Sequence, residues 1–181
     1  MNILAFGASN SKSSINKQLV MYAASFFDQD DITILDMNDF EMTLFSVDTE
    51  QLSGYPIEAI RFVEIIGKAD LIIISLAEHN GSYSTAFKNI FDWSSRIMSK
   101  TFQDKPMLLM ATSPGARGGI GVLEAAKTRF PFHGAHILAS FSLPEFNKNF
   151  TLGVGITDML YKEKFLEVID LVKSKLSGNI T

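Results

Sequence analysis

Three short stretches of this chain hold the residues that can do chemistry, and each follows an apolar run. The first is Gly7-Ala8-Ser9-Asn10-Ser11-Lys12-Ser13-Ser14-Ile15-Asn16, which leads into a helical pattern. Its Ser and Asn side chains, with the unpaired N–H groups of a helix start, can hydrogen-bond a phosphate. The helix dipole adds about half a positive charge at that end. Lys12 can help but is not required, so the cradle suits one terminal phosphate better than a pyrophosphate or a magnesium triphosphate. The same residues also suit a plain helix cap by Ser13 or Ser14 in a solvated loop. From this segment alone both readings stand.

The second stretch is Ala77-Glu78-His79-Asn80-Gly81-Ser82-Tyr83, before a segment carrying Phe87, Lys88, Asn89, Asp92 and Trp93. Asn80-Gly81 is a turn signal that lets backbone N–H and C=O groups approach the edge of a flat heterocycle, while His79 or Tyr83 offers a ring for stacking. His79 reads equally as an exposed loop histidine, and Trp93 as core or subunit interface. The third stretch, Ser113-Pro114-Gly115-Ala116-Arg117-Gly118-Gly119, has three glycines in seven positions, so its backbone can come close to a ligand. Arg117 can meet a nucleotide phosphate or form a surface or interface ion pair.

The elements that must position these loops follow from hydrophobic periodicity. Short β-type runs at 3–6, 32–35, 71–76, 107–111 and 137–141 alternate with amphipathic segments at 14–27, 56–68, 84–99, 119–130 and 158–176. This alternation predicts a five-stranded parallel sheet with helices on both faces. In the last segment Phe165, Ile169, Val172 and Leu176 form one apolar stripe. Pro56 suits a first helical turn, and Gly67 and Lys68 suit a helix end before the third strand. In such a sheet the loops after the strands emerge at one edge, where ligands bind. Two connections, 37–55 and 142–155, are long, as binding loops, lids or disordered excursions are.

Composition narrows the function classes. The 181 residues fit a single domain, taken as 1–181. With 46% hydrophobic and 20% charged residues the chain can bury a core and falls outside the disordered class. A net charge of -4, with the 16 Lys and Arg spread along the chain, argues against a nucleic-acid partner. The longest strongly apolar run, 71–77, is far below the roughly 20 residues of a membrane span. The first residues lack a basic flank and are interrupted by Gly7, Ser9 and Asn10, unlike a signal peptide, so a cytoplasmic location is expected. With no cysteine, thiolate catalysis is excluded and electron chemistry needs a bound cofactor. The 3 histidines show no spacing that makes a metal site, and none is expected. Neither G-x-G-x-x-G after the first run nor Gly-Lys-Ser/Thr occurs, which argues against a dinucleotide fold and a P-loop.

Taken together, the three blocks resemble the NADPH-dependent FMN reductase family, which includes flavin, quinone, azo-dye and chromate reductases. Ser14-Ile15-Asn16 followed by Leu19 matches its Ser-x-Asn loop. Glu78-His79-Asn80-Gly81-Ser82, then Phe87-Lys88-Asn89 and Asp92-Trp93, match its second block. Ser113-Pro114-Gly115 and Gly118-Gly119 match the third. The resemblance implies a flavodoxin-like three-layer sandwich with strand order 2-1-3-4-5. It implies that Ser9, Asn10, Ser14, Ile15 and Asn16 hold the FMN phosphate, that Glu78, His79, Asn80 and Gly81 line the isoalloxazine mainly through the backbone, and that Ser113 and Gly115 close the other side. NADPH or NADH would be the electron donor, a small molecule the acceptor, and a homodimer or homotetramer the assembly. No side chain is expected to be catalytic, because the flavin carries the chemistry. Ala77 stands where the family usually has proline, His79 where it has tyrosine, and Asn10 near a frequent arginine. These departures bear on loop stiffness and flavin potential.

Two alternatives share these residues. A serine esterase would use Ser9 with His133 or His136 as base, although neither histidine has an Asp three residues before it and Gly7-Ala8-Ser9 lacks the Asp of a Gly-Asp-Ser loop. A non-enzymatic flavodoxin-type carrier would share the fold, but such carriers have Thr-rich phosphate loops and strongly acidic surfaces. A response-regulator receiver needs acidic residues after the first strand, and residues 6–10 contain none.

Overall fold

A computed structural model describes residues 1–27 and 29–178. Strand β1 (Asn2–Ala8) leads to α1 (Ile15–Ala24), a 3-10 turn (Ser25–Phe27) and β2 (Asp31–Leu35). A second 3-10 turn (Met37–Phe40), α2 (Val47–Ser53) and α3 (Ile57–Lys68) precede β3 (Leu71–Leu76). The short strands β4 (Glu78–His79) and β5 (Ser82–Tyr83) precede α4 (Thr85–Ile97), β6 (Lys105–Thr112) and α5 (Ile120–Arg129). A third 3-10 turn (Phe130–His133), β7 (Ala135–Leu143), α6 (Phe146–Asn149), β8 (Phe150–Thr151), β9 (Gly155–Ile156) and α7 (Met159–Gly178) complete the described chain.

The main sheet has the order β2-β1-β3-β6-β7, with every neighbour pair parallel. Counting only its five strands, this is the expected 2-1-3-4-5 order. Strand side chains alternate between faces, and both faces are covered. Leu4, Phe6, Ile72, Ile74 and Leu109 pack against Phe62 of α3, Phe87 and Phe91 of α4 and Leu123 of α5. Ile3, Ala5, Ile73 and Leu108 pack against Leu19 and Ala23 of α1 and Phe165 and Ile169 of α7. The central strands β1, β3 and β6 are buried on both faces, which explains why they read as near-continuous apolar runs, whereas the edge strand β2 leaves Asp31, Thr33 and Ile34 exposed. Each fully buried large side chain contributes about 1.5–3 kcal/mol.

Both long connections are structured. Asp36 caps the turn after β2 by accepting from Asn38 N at 2.9 Å, and Ser46 caps α2 by accepting from Thr49 N at 3.0 Å. The later connection holds the last residues of β7, α6 and the small β8-β9 pair. Pro56 is the cap residue of α3 with φ -58, one position earlier than a first-turn proline.

Candidate functional site

Helix α1 leaves β1 toward one face of the sheet and α4 leaves β3 toward the other. The loops after these neighbouring strands therefore diverge, and the crevice between them is the switch point where ligands enter open α/β sheets. All three loops singled out in the sequence lie at this carboxyl edge.

In the first loop Ser14 is the cap of α1, its Oγ accepting from Lys17 N at 3.1 Å. Its hydroxyl hydrogen stays available to a ligand, so capping and anion binding are compatible. Ile15 and Asn16 open the helix, and their N–H groups have no partner within it. Ser9 is buried and its Oγ accepts from Ser11 N at 3.2 Å, while Asn10 is exposed. The Asn16 side chain turns inward: Oδ1 accepts from Ser75 Oγ at 2.7 Å and Thr112 N at 3.1 Å, and Nδ2 donates to Thr112 O at 3.3 Å. Only its backbone can face a phosphate. Gly7 serves close approach, since a Cβ there would lie 2.5 Å from Lys17 N. Lys17 Nζ is held by Asp36 Oδ2 at 2.6 Å, and that bond, with the Asn38 N–H, lowers the Asp36 carboxyl to about 2.

The second loop is a β-hairpin. Glu78 and His79 pair with Tyr83 and Ser82, and the turn residues Asn80 (φ 52) and Gly81 (φ 77) are both left-handed. That is the primed turn an Asn-Gly pair favours. Tyr83 is anchored inward, stacked on Phe130 at 5.9 Å, and burial raises its pKa. Its ring is therefore part of the hairpin's root, and His79, exposed near the turn, is the ring left for a ligand. The Glu78 carboxylate lies against Gly121 in the first turn of α5, where a side chain would collide with it.

The third loop is tied to the segment after β7. Ser113 O accepts from Phe146 N at 3.1 Å, Gly115 O from Glu145 N at 3.0 Å and Gly118 O from Ser142 Oγ at 3.0 Å. Gly118 (φ 59) and Gly119 (φ 76) are left-handed. Arg117 is exposed and makes no ion pair among the described residues.

These residues fit a nucleotide-like group with one phosphate and a flat head. The helix start and neutral hydroxyls form the anion end. At Gly81 a Cβ would meet nothing within 4 Å, and at Gly115 only Ser113 Oγ at 3.8 Å, so both loops leave room for a planar group. One part of this edge escaped the sequence reading. Met37, Phe40, Glu41, Met42 and Leu44 form a cleft of about 500 Å³ with Asn10, His79, Thr85, Ala86 and Asn89. Its signals in the sequence were the length of the 37–55 connection and an apolar residue at every second or third position of 37–44.

The esterase arrangement fails on geometry. His133 and His136 flank the start of β7, paired in register with the beginning of β6, at the opposite edge from Ser9. His133 Nδ1 is bonded to Ser99 O at 2.9 Å.

Among known proteins, the curated quinone reductase of Escherichia coli (strain K12) is 29% identical over 142 residues, covering 78% of this chain and 71% of that protein. An NADPH azoreductase of a Bacillus species (strain OY1-2) is 29% identical over 96 residues, covering 49% and 52%. The solved structure of FerB, a flavoenzyme NAD(P)H:(acceptor) oxidoreductase from Paracoccus denitrificans, superposes with a TM-score of 0.71 at 20% identity, covering 96% and 97% of the two chains. That likeness shows the flavodoxin-like fold. The family model for NADPH-dependent FMN reductase matches residues 1–148, a span that contains all three loops. The chain belongs to the NADPH-dependent FMN reductase family.

Proposed function

We propose that this chain binds FMN across the three loops, takes electrons from NADPH or NADH and delivers them to a small acceptor. The observation that carries the site is the start of α1 at the crevice, capped by Ser14, where the Ile15 and Asn16 N–H groups have no partner within the helix. Bound FMN supplies the two-electron chemistry, with the overall balance NAD(P)H + H⁺ + acceptor → NAD(P)⁺ + reduced acceptor.

The chain's own residues position and shield. Ser9, Asn10, Ser14, Ile15 and Asn16 hold the phosphate, Asn16 through its N–H alone. Glu78, His79, Asn80 and Gly81 line the flat ring system mainly by backbone, and Ser113 and Gly115 face it from the other side. No side chain serves as nucleophile or general acid. We read residues 1–181 as a single domain working in the cytoplasm as a homodimer or homotetramer. Exposed Leu52, Tyr55 and Ile57 favour this assembly by offering apolar area to bury. Among the described residues no helix is long and apolar enough to cross a membrane.

The test is a visible spectrum after FMN saturation and desalting, then anaerobic addition of NADPH and, separately, NADH. Retained flavin that bleaches supports the reductase. Flavin that stays oxidised with both donors points to a carrier, and failure to retain or titrate FMN overturns the proposal.

A further inference from the structure

One buried hydroxyl outside the three loops joins two of them. Ser84 follows the hairpin directly and is the cap of α4, its Oγ accepting from Phe87 N at 3.2 Å. The same hydroxyl donates to Ala8 O at 2.8 Å, across 76 positions of chain. Ala8 is the last residue of β1, and Ser9 of the phosphate loop comes next. Ser84 and Ala8 are each 1% exposed, so water does not compete for this bond.

Capping alone does not account for the arrangement. An aspartate at this position could accept the Phe87 N–H as well, but when ionised it has no hydrogen to donate, whereas the serine hydroxyl uses both capacities at once. The bond also lies where little else controls the spacing of the loops. Helix α1 packs on one face of the sheet and α4 on the other, so the distance between the loops that precede them is not set by helix against helix. The β1–β3 ladder ends at the Ala8–Leu76 pair, and the Ser84 hydroxyl extends the link beyond it. Each side is firm in its own right. Tyr83 roots the hairpin by its stack on Phe130, and Asn16 ties the start of α1 to Ser75 and Thr112.

We infer that Ser84 is a positioning residue whose hydroxyl sets the distance between the phosphate cradle and the ring-lining hairpin, so that one FMN engages both at once. The inference rests on the FMN reading of the site and adds a residue that acts through Ala8 and the hairpin instead of through the flavin. When a ligand is held at both ends, the second end binds at an effective concentration fixed by the spacing of the two subsites. A small misplacement therefore removes the joint gain while each subsite keeps its own affinity.

The full chain, Ser84→Ala and Ser84→Gly are titrated with FMN and with riboflavin, the inhibition constant of inorganic phosphate against FMN is measured, and all three proteins are melted. The parent should bind FMN more tightly than riboflavin. In both variants that preference should fall about ten-fold, with riboflavin affinity and the phosphate constant unchanged. Glycine is nearly as good a helix cap as serine and alanine is not, so Ser84→Gly should melt closer to the parent yet lose the preference to the same extent. A preference that stays at the parent value, falls only in the less stable variant, or gives way to an equal loss for both flavins would overturn the inference. A weaker phosphate constant would put the damage in the cradle itself and overturn it too. A parent that binds neither flavin sinks the FMN reading and the inference with it, whereas a parent and variants that prefer FMN equally sink the inference alone.

Discussion

The carboxamide of Asn16 and the backbone of Thr112 hydrogen-bond each other in both directions, Thr112 N to Oδ1 at 3.1 Å and Nδ2 to Thr112 O at 3.3 Å. Thr112 ends β6, and Asn16 takes the place of a neighbouring strand for its last peptide groups. The second bond to Oδ1, from Ser75 of β3, ties the start of α1 to two strand ends at once. Asn16→Ala should therefore leave the buried Thr112 groups unpaired and cost about 3 kcal/mol. Urea unfolding checks it. A loss below about 0.5 kcal/mol would show that water replaces the side chain without cost.

How much of this was legible in the sequence depends on how far apart the interacting residues lie. The central strands showed because they are buried on both faces, and the turn at Asn80-Gly81 showed because it is a local signal, although the short strands that make it a hairpin did not. The role of the Asn16 side chain did not show, since its partner is 96 positions away and a Ser-x-Asn loop looks the same whether the Asn faces a phosphate or a strand end. The cleft was hidden for a similar reason. Its wall is fastened by Trp93 across 50 positions, and nothing within 37–45 announces that contact.

Glycines at the edge divide into two kinds, and one substitution at each separates them. A Cβ at Gly7 would sit 2.5 Å from Lys17 N and 2.9 Å from Asn16 C, both backbone atoms that cannot swing aside. Gly7→Ala should push α1 off β1, costing about 1–3 kcal/mol. A Cβ at Gly115 meets only Ser113 Oγ at 3.8 Å, so Gly115→Ala should fold normally and lose flavin affinity instead. Paired thermal melts and FMN titrations test the contrast. Equal melting losses in both variants would contradict it.

The Lys17–Asp36 pair gives a pH signature with a defined sign. The Asp36 carboxyl falls from 3.8 to about 2 because it accepts from Lys17 and the Asn38 N–H. A lowered acid pKa stabilises the fold above about 3.8, and the gain is lost as pH falls toward 2. Both side chains are about one-third exposed, so the ion pair itself contributes at most about 1 kcal/mol. Lys17→Met should unfold at a higher pH than the parent in an acid titration followed by circular dichroism, and the two proteins should converge near pH 2. A parent and variant with the same acid midpoint would show that the pair contributes nothing.

The phosphate cradle makes a prediction that folding alone cannot mimic. Ser14 caps α1 by accepting from Lys17 N, and Ser9 follows directly on the end of β1. Ser14→Ala should cost about 1 kcal/mol of stability through the lost cap. Ser9→Ala loses only a loop bond to Ser11 N and should be milder. If these hydroxyls hold the phosphate of FMN, both variants should bind FMN about ten-fold more weakly, the scale of one hydrogen bond to a charged group. Riboflavin has the same ring system and no phosphate, so its affinity should be nearly unchanged. Titration of both flavins into the parent and each variant checks this. A parallel loss for the two flavins would mean that the serines shape the loop without touching the anion, and the phosphate would then have to be held by the Ile15 and Asn16 N–H groups alone.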